Sequence, residues 1–219
     1  MRGFAVISRR ALFENVFAGA ALAAVVGASA TQAVAQAPAS AELLKAGPLG
    51  DQVQGSADAP VTIIEYASMT CSHCATFHVQ TYPALKSRYI DTGKVRYILR
   101  EFPLDPLAEG ASMLARCAGD GKYFEMVDAL FKQQKNWAFV KNPIPPLFAI
   151  ARQAGFNEQT FEKCLSDQKL LDGVKEVRQR AQEKFGVNST PTFFINGRIF
   201  RGAITIDQIE KEIAPHIKG

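Results

Sequence analysis

Four short runs of β-branched and aromatic residues stand in two pairs, far apart along the chain, with helical periodicity between them. Val61-Thr62-Ile63-Ile64-Glu65-Tyr66, bounded by Pro60 and Ser68, reads as a largely buried strand. After the turn signal Asp91-Thr92-Gly93, Val95-Arg96-Tyr97-Ile98-Leu99 reads as a second. Thr192-Phe193-Phe194-Ile195 and Arg198-Ile199-Phe200 flank Asn196-Gly197, the strongest two-residue hairpin signal a sequence carries. The order is βαβ, a helical block, then ββα, so the two outer pieces can share one sheet of an α/β fold.

The helical segments follow from apolar spacing. From Cys71 to about Tyr89, Phe77, Tyr82, Leu85 and Tyr89 lie near one face, and Pro83 predicts a kink or break. Residues 108–118, 123–132, 146–154 and 158–166 repeat apolar positions at i, i+3 or i+4 between Gly and Pro punctuation. Residues 170–185 form a charged helix ending at Gly186, as a C-cap would, and Ile206, Ile209, Ile213 and Ile217 stripe a last helix. Residues 36–58, rich in Ala, Gly and Pro, read as a loose lead-in with room for one short helix at Leu43-Leu44.

Residues 1–35 have the pattern of a secretory leader. Arg2, Arg9 and Arg10 precede an apolar run from Val16 to Val26, too short to span a bilayer as a stable helix. Cleavage sites follow at Ala28-Ser29-Ala30 and, preferred, at Ala33-Val34-Ala35. An uncleaved anchor is the alternative. Ser8-Arg9-Arg10-Ala11-Leu12-Phe13 resembles a twin-arginine signal, and the general export route fits as well. Either route leads out of the cytoplasm, to the periplasm on this reading, where thiol–disulfide chemistry is the expected use of cysteine. The net charge is +4, of which the leader supplies half; the remaining Lys and Arg are interleaved with acids, as in Lys175-Glu176 and Lys211-Glu212, which gives no nucleic-acid footprint.

Cys71-Ser72-His73-Cys74 stands where the first strand hands over to its helix. A helix N-terminus favours a thiolate at Cys71, Thr70 is the expected N-cap, and His73 can add a hydrogen bond or positive charge beside the sulfur. The same spacing supplies half of a zinc site. The remaining ligand candidates are Cys117, Cys164 and the histidines, with no second C-x-x-C among them; His73 and His78 are five apart but share the cysteines' helix. An inert disulfide is a third reading, though so small a ring is a poor staple. Cys117 and Cys164 lie on apolar stripes in the helical block, beside Leu114 and Ala118 and beside Phe161 and Leu165. They read either as buried free thiols or, in an oxidising compartment, as a structural disulfide.

The strand Ile63-Ile64-Glu65-Tyr66, the motif Cys71-Ser72-His73-Cys74, and Ser189-Thr190-Pro191-Thr192 before a Phe-rich strand and Asn-Gly hairpin together resemble the DsbA family of bacterial periplasmic dithiol oxidases. The resemblance runs over nearly the whole chain after the leader. It implies a thioredoxin-like domain from residues 59–104 and 187–219, interrupted by an all-helical insertion at 105–186. It also implies that Cys71 is the exposed nucleophile and Cys74 the buried resolving thiol. Pro191 would be a cis-proline facing the disulfide, Thr190 a backbone contact for substrate, and Glu65 the acid that exchanges a proton with Cys74. Read from the residues alone, Glu65 fits an exposed strand edge equally, and Pro191 an ordinary trans position. Some DsbA-like proteins carry a second, non-catalytic pair where this chain has Cys117 and Cys164.

The implied function is oxidation of reduced, unfolded secreted proteins, with the redox disulfide itself in place of a cofactor and a DsbB-like, quinone-linked membrane oxidase as partner. Ser72 replaces the Pro of the family's best-known motif, which keeps an isomerase or reductase, held reduced by a membrane donor, as the enzymatic alternative. A metal- or partner-binding C-x-x-C protein is the non-enzymatic one. The lead-in is too short and too aperiodic for the dimerisation module isomerases usually carry, so a monomer is expected.

Overall fold

A computed structural model describes residues 40–119 and 121–217; the leader expected at 1–35 lies outside them. Helix α1 (Ser40–Leu44) and a short strand β1 (Gln52–Gln54) come first. Strand β2 (Val61–Ala67) leads into α2 (Ser72–Gln80), α3 (Tyr82–Leu85) and a π-helical turn (Lys86–Ile90), then strand β3 (Val95–Glu101). Six helices follow: α4 (Pro106–Cys117), α5 (Tyr123–Lys132), α6 (Gln134–Trp137), α7 (Ile144–Gln153), α8 (Glu158–Leu165) and α9 (Gln168–Phe185). Strands β4 (Thr192–Ile195) and β5 (Arg198–Arg201) and helix α10 (Ile206–Ile213) complete the chain. No helix among the described residues is long and apolar enough to cross a membrane.

The five strands form one sheet in the order β1-β3-β2-β4-β5. β2 runs parallel to β3 and antiparallel to β4, so the two ends of the chain meet at its centre. The β4–β5 turn places Asn196 at φ 45° and Gly197 at φ 87°, the paired left-handed conformations a tight hairpin requires. With helices on both faces and a helical block between β3 and β4, this is the thioredoxin-like arrangement with an inserted helical segment. One strand was not foreseen: β1 belongs to the lead-in and pairs antiparallel with β3 as an edge.

Side chains alternate across the sheet with the period of two that strands impose. Ile63 and Ala67 of β2 face a core shared with Cys74, Phe77, Tyr97 and Phe193. Ile64 and Tyr66 face the opposite core with Ile98, Phe194, Leu43, Ala181 and Phe185, under α1 and α9. Arg100, only 3% exposed, ties the lead-in down: its guanidinium donates to Asp51 Oδ1 at 2.8 Å, the Leu43 carbonyl at 2.8 Å and Tyr66 Oη at 2.9 Å. A nine-residue helix is marginal alone in water, so α2 depends on its buried side, Cys74, Phe77 and His78. Pro83 sits in the first turn of α3, where its missing N–H costs nothing, and the single expected helix is broken there into three pieces.

Candidate active site

The helix that carries the cysteines begins one residue later than the sequence reading placed it. Cys71 itself is the N-cap, extended at φ −81° and ψ 119°, and no side chain caps the first turn. Thr70 instead donates its hydroxyl to Asp105 Oδ2 at 2.6 Å. Asp105 caps α4 with its other oxygen, which accepts from the Ala108 N–H at 2.8 Å. The first amides of α2 are thereby left free for the Cys71 sulfur, the arrangement that stabilises a thiolate at a helix N-terminus.

Cys71 and Cys74 are the free cysteines, and they are unequal. Cys74 is fully buried as expected, but Cys71, expected to be exposed, is only 8% so, because the Thr190–Pro191 segment packs over its sulfur. A hydrogen bond from the Cys74 thiol, aided by the Thr190 side chain and the backbone N–H groups of Cys74 and His73, outweighs partial burial and pulls the Cys71 thiol from 9.0 down to about 5. Burial pushes the Cys74 thiol well up, helped by its bond to Cys71 and the negative field of Glu65. His73 contributes its backbone N–H, while its side chain is exposed.

The Thr190–Pro191 peptide is cis and lies against Cys71, which as a thiol donates to the Thr190 carbonyl at 3.3 Å. Thr190 Oγ1 is buried with no other hydrogen-bond partner, so its hydroxyl is free to turn toward the sulfur once that sulfur is a thiolate. Glu65 is not on an exposed edge. It is fully buried in the central strand β2, on the Cys74 face, and its Oε2 accepts from the Tyr97 hydroxyl. Burial and the Glu65 charge push that hydroxyl well up, so Tyr97 stays protonated as a donor. His78, one turn beyond Cys74, brings Nε2 to 3.2 Å from Glu65 Oε2, off the hydrogen-bond direction, and stacks on Phe131. Glu65 Oε1 is buried without a partner.

Sequence reasoning did not place Tyr97, Asp105 or Gln134 in this neighbourhood, and weighed His78 only as a metal-ligand candidate. His78 carries a signal that was available, since it falls four residues after Cys74 and so on the same helix face. Cys117 and Cys164 stand apart from Cys71 and Cys74 and are joined to each other by a disulfide linking α4 to α8, with Cα atoms 6.2 Å apart. Among the described residues no three His, Cys, Asp or Glu side chains gather as a metal-ligating group.

A family model described as thioredoxin matches residues 49–214. A putative protein-disulfide oxidoreductase of Rickettsia bellii is 36% identical over 148 residues, which are 67% of this chain and 57% of that protein. The chain thus spans less than two thirds of the length of that relative. The crystal structure of Wolbachia pipientis alpha-DsbA1 superposes with a TM-score of 0.74 at 33% identity, covering 81% of this chain and 95% of that one. A probable disulfide bond formation protein D of Bacillus anthracis is 27% identical over 185 residues, 76% of this chain and 78% of that one. Fold, paired cysteines and relatives agree, and the chain belongs to the DsbA-like family of thioredoxin-fold proteins.

Proposed function

We propose that this protein is an exported dithiol oxidase that places disulfides into reduced, unfolded secreted proteins. A substrate thiolate attacks Cys71 Sγ, the Cys71–Cys74 bond breaks, and Cys74 leaves as a thiolate. In the low-dielectric floor that thiolate takes up a proton released when the substrate thiol ionised, and Glu65 Oε1, buried without a hydrogen-bond partner, is the acceptor atom through which it is relayed. A second substrate thiolate then attacks the substrate's own sulfur in the mixed disulfide and expels Cys71. Two substrate thiols are oxidised by two electrons, and the pair ends as Cys71 thiolate and Cys74 thiol. Thr190 and Pro191 form the wall against which the substrate backbone lies. Reoxidation by a quinone-linked membrane oxidase, a periplasmic location and a monomeric state complete the proposal.

The observation that carries this reading is the inequality of the two thiols. A leaving group whose thiol is held at about 5 departs readily at neutral pH, and a stabilised thiolate makes the disulfide form oxidising. The test is equilibration with glutathione. A potential well above that of a cytosolic reductant is expected, and a value near about −270 mV would overturn the oxidase assignment in favour of a reductase.

A further inference from the structure

The segment that delivers Cys71 to its helix is held from the helical insertion. Gln134, the first residue of α6, is 4% exposed, and its side-chain Nε2 donates to two carbonyls of that segment, Met69 at 2.8 Å and Cys71 at 3.0 Å. The Cys71 carbonyl also accepts from the Ala75 N–H at 3.1 Å, the first bond of α2. Gln134 is itself anchored, because α6 ends at the fully buried Trp137, whose Nε1 donates to the Leu130 carbonyl at 2.9 Å. From the other side, Thr70 is tied to Asp105, and Ser68 Oγ accepts from the Leu104 N–H at 3.3 Å.

A carboxamide that spends its Nε2 hydrogens on two loop carbonyls does little for the insertion it belongs to. What it does is set the rotation of the peptide planes on either side of Thr70 and Cys71. That rotation decides whether the Cys71 sulfur stands within reach of the N–H groups of His73 and Cys74, since those amides are fixed by the helix and the sulfur is not. A loop free to rotate would spread the sulfur over positions where these bonds are long or bent, and such bonds weaken steeply. We propose that Gln134 is a positioning residue for the nucleophile: through its carboxamide the helical insertion sets how firmly Cys71 holds its thiolate. This rests on the reading of Cys71 as the nucleophile.

Gln134→Met keeps the length of the side chain and removes both donors. The Cys71 titration, followed by pH-dependent alkylation, is expected to move up by about one unit, a ~tenfold loss of thiolate at pH values below about 5, which corresponds to the net worth of about one hydrogen bond. The equilibrium with glutathione should shift in the less oxidising direction. Gln134→Asn retains a buried amide, which protects folding, but falls short of the carbonyls and should move both quantities the same way. Unfolding of the oxidised and reduced forms separates this role from simple packing, since loss of packing alone weakens both forms equally and leaves the titration in place. That result, with wild-type Cys71 still titrating near 5, would overturn the role of Gln134 and leave the oxidase reading standing. A wild-type Cys71 titrating near 9 would bring down both.

Discussion

Removing Cys71 should strip the reduced protein of a stability that depends on pH. The Cys71 thiol titrates at about 5 in the fold against an ordinary 9.0, so the folded state binds this proton more weakly than the unfolded chain does. A depressed folded value stabilises the fold fully above the unfolded value, and the contribution fades as pH falls through the folded one. At pH 7, two units above the folded value, it amounts to about 2.7 kcal/mol, and at pH 4 it is close to zero. Expressed as a two-electron potential, the same quantity makes the disulfide more oxidising by about 60 mV at pH 7. Urea unfolding of the reduced wild type and of Cys71→Ala, each from pH 4 to pH 7, reads the effect as a difference in which other titrating groups largely cancel. The wild type should gain on the variant by about 2–3 kcal/mol across that interval, nearly all of it above pH 5. A difference that stays flat with pH would refute the assignment of a stabilised thiolate to Cys71.

The Cys74 thiol is the leading cause of that stabilisation, so Cys74→Ala should raise the Cys71 titration by about one unit or more, seen in the ultraviolet absorbance of the thiolate. Arg116→Met would leave the buried Glu101 carboxylate with only the Tyr123 hydroxyl as a named partner, and should cost about 3–5 kcal/mol in urea unfolding; adding Glu101→Gln should recover part of the loss, and no recovery would mean the pair is not the source. Gly55→Ala puts a methyl 2.2 Å from the Val95 carbonyl oxygen at a φ of +89°, and should destabilise by more than about 1 kcal/mol; an unchanged thermal midpoint would show that the backbone gives way there.

How much of this was legible in the residues depends on the range over which each feature is decided. The β4–β5 hairpin and the left-handed cap at Gly186 are local, settled by Asn196-Gly197 and by one glycine after an apolar stripe, and both could be read in advance. β1 could not, because Gln52-Val53-Gln54 has little strand propensity of its own and becomes a strand by pairing with β3. Thr70 has the right chemistry for an N-cap, but Asp105, thirty-five positions on, takes its hydroxyl. The floor beneath Cys74 draws Glu65, Tyr97 and His78 from three elements, and only Glu65 was picked out, through a family resemblance rather than its own surroundings. Gln134 was invisible for the same reason: a polar residue after an amphipathic helix reads as solvent-facing until the loop it clasps is in place.

The pairing of β2 with β4 also has a consequence in time. Cys71 and the Thr190 carbonyl it bonds are 119 positions apart, and Thr62 waits 134 positions for the Asn196 side chain that accepts its N–H. Synthesis delivers both thiols long before the wall that will face them. Until residues 192–195 emerge, the central strand has one edge unpaired, and closing so long a loop is slow compared with forming the local helices. Both thiols of the Cys71-Ser72-His73-Cys74 motif are therefore made while the segment that will face them, Thr190 and Pro191, has yet to be synthesised.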